Sequence, residues 1–134
     1  MEINIPMKSM GAPRPRFASG HAYMPKTYKD YRAELGRWIM RNQPLPFYAK
    51  DISLLIDVTF AMPKSWSKKK RDQMDGSYHC QKPDVDNIIK PIMDELTGIV
   101  YADDASVFDI GCRKKWGIED NIRIVIGGRK ERSE

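Results

Sequence analysis

Histidine and cysteine are scarce in this chain, two of each in 134 residues. Cys80 and Cys112 are too few for a disulfide framework. His79 adjoins Cys80, but no second half of a zinc-ligand spacing follows, so no zinc centre is expected. No apolar run approaches the ~20 residues that a bilayer-spanning helix needs, and no membrane partner is expected. The first residues, MEINIPMKSMG, lack the basic-then-apolar order of a signal peptide, which makes the cytosol the expected compartment. There is no internal repeat and no glycine-rich phosphate loop. Nothing here asks for a small-molecule cofactor.

What is present fits one domain spanning residues 1–134, with 41% hydrophobic and 31% charged residues. The net charge is +5, unevenly spread. From Met62 to Pro83, Lys64, Lys68, Lys69, Lys70, Arg71 and Lys82 outnumber Asp72 and Asp75, a local excess of +4 that leaves about +1 for the rest. Such a stretch suits a polyanionic substrate, and also suits an ordinary solvated loop.

Glu2 to Pro6 alternates as a short strand, and the Gly- and Pro-rich run after it reads as an irregular loop carrying Lys8, Arg14 and Arg16. Residues 27–42 place Tyr28, Tyr31, Leu35, Trp38 and Ile39 at helical spacing, with a capping box expected from Thr27 and Asp30. This aromatic stripe reads as core and not as a base-stacking platform. Ile52 to Phe60 alternates as a strand with one buried face. Periodicity then fails through residues 62–83, a basic segment expected to be structureless and poorly ordered without its ligand. Ile88, Ile89, Ile92, Met93 and Leu96 make a second helical stripe, stopped by Gly98. Pro91 lies too deep for a first-turn proline and should free one carbonyl near the helix start. Strands are expected at 106–116 and 121–126. The fold class is therefore mixed α/β (α+β), a small mixed sheet of about four strands with two main helices packed on it.

The acids around the second helix stand out in a basic chain. On an extended segment, Asp84 and Asp86 would point the same way and converge on one ion, in the field of a helix N-terminus. Either Asp86 or Asn87 also serves as an ordinary N-cap. Asp86, Lys90 and Asp94 recur at four-residue spacing on one face, which also suits a plain salt-bridged surface. Asp103 and Asp104 follow the helix, and return to its start only if the intervening IVYA run heads back. Oxygen-only ligand sets suit Mg²⁺, with Mn²⁺ as a substitute. A metal so held beside a basic segment is equipment for phosphodiester hydrolysis, and a lysine on the same face would hold phosphate or protonate the leaving group.

The stretch KPDVDNIIKPIMDELTGIVYADDASV resembles the RusA family, the phage and bacterial Holliday junction resolvases. It carries the D-x-D-N-x-x-K motif, a helix, then an acidic pair followed by a strand; FAMPKSWSKKKR and RPRF are similar to further family segments. The resemblance implies that Asp84, Asp86 and Asp104 bind Mg²⁺, with Lys90 as the essential lysine and Asp103 as a further candidate ligand or neighbour of one. It implies a homodimer that nicks four-way branched DNA symmetrically, leaving 5′-phosphate and 3′-hydroxyl ends, with Lys64, Lys68, Lys69, Lys70, Arg71, Lys82, Arg14 and Arg16 on the DNA. Ser106 departs from the glutamine common in the family after DDA, which puts detail at that position in question. The alternatives are a flap or fork nuclease that cuts singly, a junction-binding protein that does not cut, and a structural protein without activity.

Overall fold

The alternation from Ile52 to Phe60 produces the longest strand of the computed structural model, which describes residues 1–130. This strand, β4 (Lys50–Ala61), buries Ile52, Leu54, Ile56, Val58 and Phe60 on one face. The other elements are β1 (Glu2–Ile5), β2 (Arg16–Ala18), β3 (His21–Tyr23), α1 (Lys26–Met40), α2 (Lys68–Met74), α3 (Val85–Leu96), β5 (Val107–Gly117) and β6 (Asn121–Arg129). A single 3₁₀ turn, Asp104–Ser106, precedes β5. The four-stranded sheet has the order β1-β6-β4-β5. β4 pairs antiparallel with β6 and parallel with β5, and a parallel pair needs a crossover, which α3 supplies.

Tyr28, Tyr31, Leu35 and Ile39 of α1 join Ile88, Ile92 and Leu96 of α3 in the core over this sheet. The aromatic stripe is core, as expected. The opposite face of the sheet is polar: Asp57 on β4 bonds Arg113 at 3.1 Å and Arg123 at 3.0 Å.

Local expectations fail where side chains bury nothing. Residues 62–83 are not structureless, because α2 lies inside them, capped by Ser67 Oγ accepting from the Lys70 N–H at 3.2 Å. α2 buries no residue, so no apolar stripe announces it. The rest of this segment is tied to the sheet. Gly76 N–H donates to Trp116 O, Trp116 N–H to Ser77 O, and His79 N–H to Lys114 O, at 2.9, 2.9 and 3.0 Å. The supposed irregular loop near Arg16 contains the hairpin β2–β3, turned by Ser19 and Gly20 at φ 50° and 75° and exposed throughout. α1 starts at Lys26 with Pro25 at the cap and no side-chain cap bond, so Thr27 lies inside the helix and makes no capping box. α3 starts at Val85, with Asp84 at the cap position in place of Asp86 or Asn87.

Pro91 lies inside α3 and cannot donate to the carbonyl four residues back, that of Asn87. The Ala12 N–H donates to it instead, at 2.9 Å. The N-terminal segment is thereby stitched onto the start of α3. Gly11 makes the close approach: a Cβ there would stand 2.7 Å from Pro83 Cβ. Gly11→Ala should therefore cost about 1–3 kcal/mol of stability by overpacking, read from the midpoint of urea unfolding.

His79 is buried between Phe60 and Trp116, with ring centroids 4.2 and 4.4 Å away. Burial, and then the nearby Lys114 ammonium, push its imidazole below the ordinary 6.5. The fold thus favours the neutral ring, the unfolded chain binds more protons below pH 6.5, and stability is lost as pH falls from there. His79→Phe keeps the ring stack and titrates nothing. Between about pH 7 and about pH 5 its unfolding midpoint should drop less than that of the unmodified protein.

Candidate functional site

Asp84 occupies the cap position of α3 with an extended backbone, φ −72° and ψ 151°, yet its side chain makes no cap bond. Its carboxylate turns to Lys82 Nζ at 2.7 Å. Asp86 lies in the first turn of the helix, so the two acids are cap and first-turn residues and not neighbours on a strand. The helix N-terminus favours both charges. The backbone leading to them is clamped by Lys114 Nζ, which donates to Gln81 O at 2.6 Å and Pro83 O at 2.8 Å.

Lys90 and Asp94 stand 4.0 Å apart, and Asp94 also faces Arg32 at 3.6 Å. With Asp86 they form a row along the outer side of α3, where Lys90 is largely exposed.

Asp103 and Asp104 are elsewhere. The chain turns sharply after α3 through Gly98 (φ +85°), whose N–H donates to Tyr101 O at 2.7 Å. Tyr101 is buried and its hydroxyl donates to Met93 O at 3.1 Å. The IVYA run makes this turn and an isolated bridge between Thr97 and Tyr101, and does not travel back up the helix. Asp103 caps the 3₁₀ turn by accepting from the Ala105 N–H at 3.0 Å. That bond, and then the neighbouring Asp104 carboxyl, hold the Asp103 carboxyl below its ordinary value. Asp104 lies near Tyr101 and, with Asp94, helps to raise the phenol's pKa, though burial contributes more.

Thus Asp84 and Asp86 stand at one end of α3, and Asp103 and Asp104 at the other. At ~1.5 Å per residue, a helix of 12 residues keeps these ends about 18 Å apart. The strand register agrees, since Lys114, the clamp beside Asp84, pairs with Val58, whereas Val107, next to the 3₁₀ turn, pairs with Ile52. Among the described residues, no three His, Cys, Asp or Glu side chains stand together where they would hold a metal.

Of the basic candidates, Lys82 is the one in direct contact with Asp84. Lys68, Lys69 and Lys70 line the first turn of α2, with the Lys70 ammonium 4.4 Å over the Trp66 ring. Arg71 donates to Pro63 O at 3.2 Å, and Lys64 is exposed close by in sequence. Lys82 pairs with Asp84, while Arg14 and Arg16 are exposed at the β2–β3 hairpin. Residue-by-residue reading missed Lys114 as part of the site. The signal was its place as the one cation among Phe108, Ile110, Cys112 and Trp116 in the alternation of β5.

The molecule is a mixed α/β protein with two acids at a helix start and a lysine, Lys82, paired with one of them. Residues 6–127 match the family described as Endodeoxyribonuclease RusA, and the chain belongs to that family. It is also 28% identical over 124 residues to the uncharacterized protein YqaN of Bacillus subtilis (strain 168), a match covering 88% of this chain and 87% of YqaN.

The exposed cations of α2 suit a phosphate backbone. Replacing Lys68, Lys69, Lys70 and Arg71 by alanine should weaken binding to every DNA form. The slope of log K against log salt should become shallower by about two to three units, measured by filter binding or anisotropy.

Proposed function

We propose that this protein is a Mg²⁺-dependent nuclease that resolves four-way DNA junctions as a homodimer. Each cutting centre combines Asp84 and Asp86 of one copy with Asp104 of the other. The observation carrying this reading is the division of the acids between the two ends of α3 within one chain.

An exposed apolar strip runs between those two ends. Val85 on α3 and Phe108 and Ile110 on β5 are exposed, and Ile89 and Met93 are half-buried. β5 is an edge strand, and among the described residues only 76–79 pair along its outer edge, at the Lys114–Trp116 end. A second copy covering this strip about a two-fold axis perpendicular to β5 would run its β5 and α3 in the opposite direction. The foot of one α3 would then meet the start of the other, and Asp104 would join Asp84 and Asp86.

Asp84 and Asp86 fit a hard divalent cation: both donors are oxygens, Asp84 is not consumed as a cap, and a cation already stands at its carboxylate. When bound, Mg²⁺ supplies an activated water and neutralises charge on the phosphate undergoing attack. The chain's own residues do the rest. Asp104 of the second copy completes the carboxylate set, with Asp103 beside it. Lys90, exposed one turn below Asp86, holds a phosphate oxygen. Lys82 exchanges its bond with Asp84 for one with the DNA backbone. Two such centres related by a dyad match the near two-fold symmetry of a junction and account for paired nicks; family membership supports 5′-phosphate and 3′-hydroxyl ends.

Asp84→Asn and Asp104→Asn should each abolish nicking of a labelled four-way junction while junction binding persists. Refolded together, the two variants form mixed dimers in which one centre is intact and the other doubly broken. About a quarter of the wild-type nicks should return, on single strands and without paired resolution. An inactive mixture beside an active wild type would place the acids within one chain. A wild type that never cuts would remove the nuclease reading itself.

A further inference from the structure

Two cavities open on either side of Lys8, Lys82 and Pro83, which wall both. The first, about 580 Å³, has Asp84 and Asn87 in its wall. The second, about 400 Å³, has no part in the proposed chemistry. It is lined by Phe60, His79 and Trp116, with Gln81 at an exposed position among them. Its size is that of a pocket for a small organic group, and its walls are aromatic where a backbone-binding groove would be cationic.

His79 is the unusual member of this lining. It is only 5% exposed, and its Nδ1 is buried without any hydrogen-bond partner. Leaving a buried ring nitrogen unpaired is costly, and a histidine kept for packing alone would be better replaced by phenylalanine. With Nδ1 closed off from solvent, Nε2 is the ring's remaining polar atom for the cavity, and Gln81 adds an amide that offers a donor and an acceptor. Aromatic walls with a few polar edges suit a flat heterocycle. Lys8 and Lys82 at the shared rim suit the phosphates on either side of it.

We propose that this second cavity receives a nucleobase unstacked from the strand held at Asp84, and that His79 and Gln81 read its edge. The inference rests on the nuclease reading and adds to it a source of base preference next to the cut. Lys82, Pro83 and Asp84 are consecutive, so a strand with its phosphate at Asp84 passes the rim of the pocket within a nucleotide step. Bases at the exchange point of a junction are the ones least expensive to unstack. A strand within continuous duplex offers no such base, so the pocket favours branched over linear DNA as well.

The test uses synthetic junctions carrying each of the four bases, or an abasic nucleotide, at every position within two nucleotides of the cut. Binding is measured in EDTA and cutting in Mg²⁺, for the wild type, His79→Phe and Gln81→Ala. At one position the wild type should favour one base over the abasic site by about tenfold or more, as good edge contacts allow. His79→Phe should compress that preference to about threefold or less while still binding junctions. Gln81 is exposed, so if His79→Phe does not fold, Gln81→Ala decides by the same criterion. A wild type indifferent to base at every position, or a preference that survives the deciding variant, overturns the proposal. Base preference in EDTA with no cutting in Mg²⁺ would keep the pocket and remove the nuclease reading, and cutting without preference would do the reverse.

Discussion

Pro91 leaves the carbonyl of Asn87 without a donor from its own helix, and the start of α3 is organised around how that carbonyl is satisfied. The Ala12 N–H takes the place of the missing one, which brings Gly11 against Pro83 and closes the N-terminal segment over the helix start. From the other side Lys114 binds the carbonyls of Gln81 and Pro83. The backbone on either side of Asp84 is thus held from both flanks, by a strand ammonium and by a stitched loop. Asp84 itself is left free of any cap bond, and its charge faces outward. Both cavities described above exist because these two attachments draw the 8–12 and 81–84 segments into one wall.

Charge follows the same plan. Several of the acids in this basic protein are compensated where they stand. The helix N-terminus and Lys82 compensate Asp84, and the Ala105 N–H compensates Asp103. Asp94 sits between Lys90 and Arg32. The exposed lysines of α2 meet no carboxylate partner among the described ion pairs, which leaves them for a polyanion. Asp84, Asp94 and Asp103 are thus compensated locally, while the surplus positive charge lies on α2.

The division of the acids follows from the crossover between β4 and β5. A single crossover places its helix antiparallel to the strands it joins, so residues before and after the helix fall at opposite ends of the sheet. No short turn after Leu96 reverses that. In the dimer proposed above, a two-fold axis perpendicular to α3 would exchange the two ends without any change in the fold.

The sequence alone determined the sheet strands, the two long helices and the face each buries, because those elements are written in alternation and in helical periodicity, as at Ile52–Phe60 and Tyr28–Ile39. It also determined the candidate acids and lysines, since their spacing is local and the family motif covers them. Elements that bury nothing stayed hidden: α2 and the β2–β3 hairpin have polar or exposed sequences, and turn geometry and attachment to the sheet define them. Only the tertiary structure decided that Asp104 stands a helix length from Asp84, that the Asn87 carbonyl is answered by Ala12, and that His79 packs between Phe60 and Trp116. Each of these joins residues far apart in the chain or depends on the direction in which a segment turns. Periodicity reports which face of an element is buried, and says nothing about what comes to lie against it.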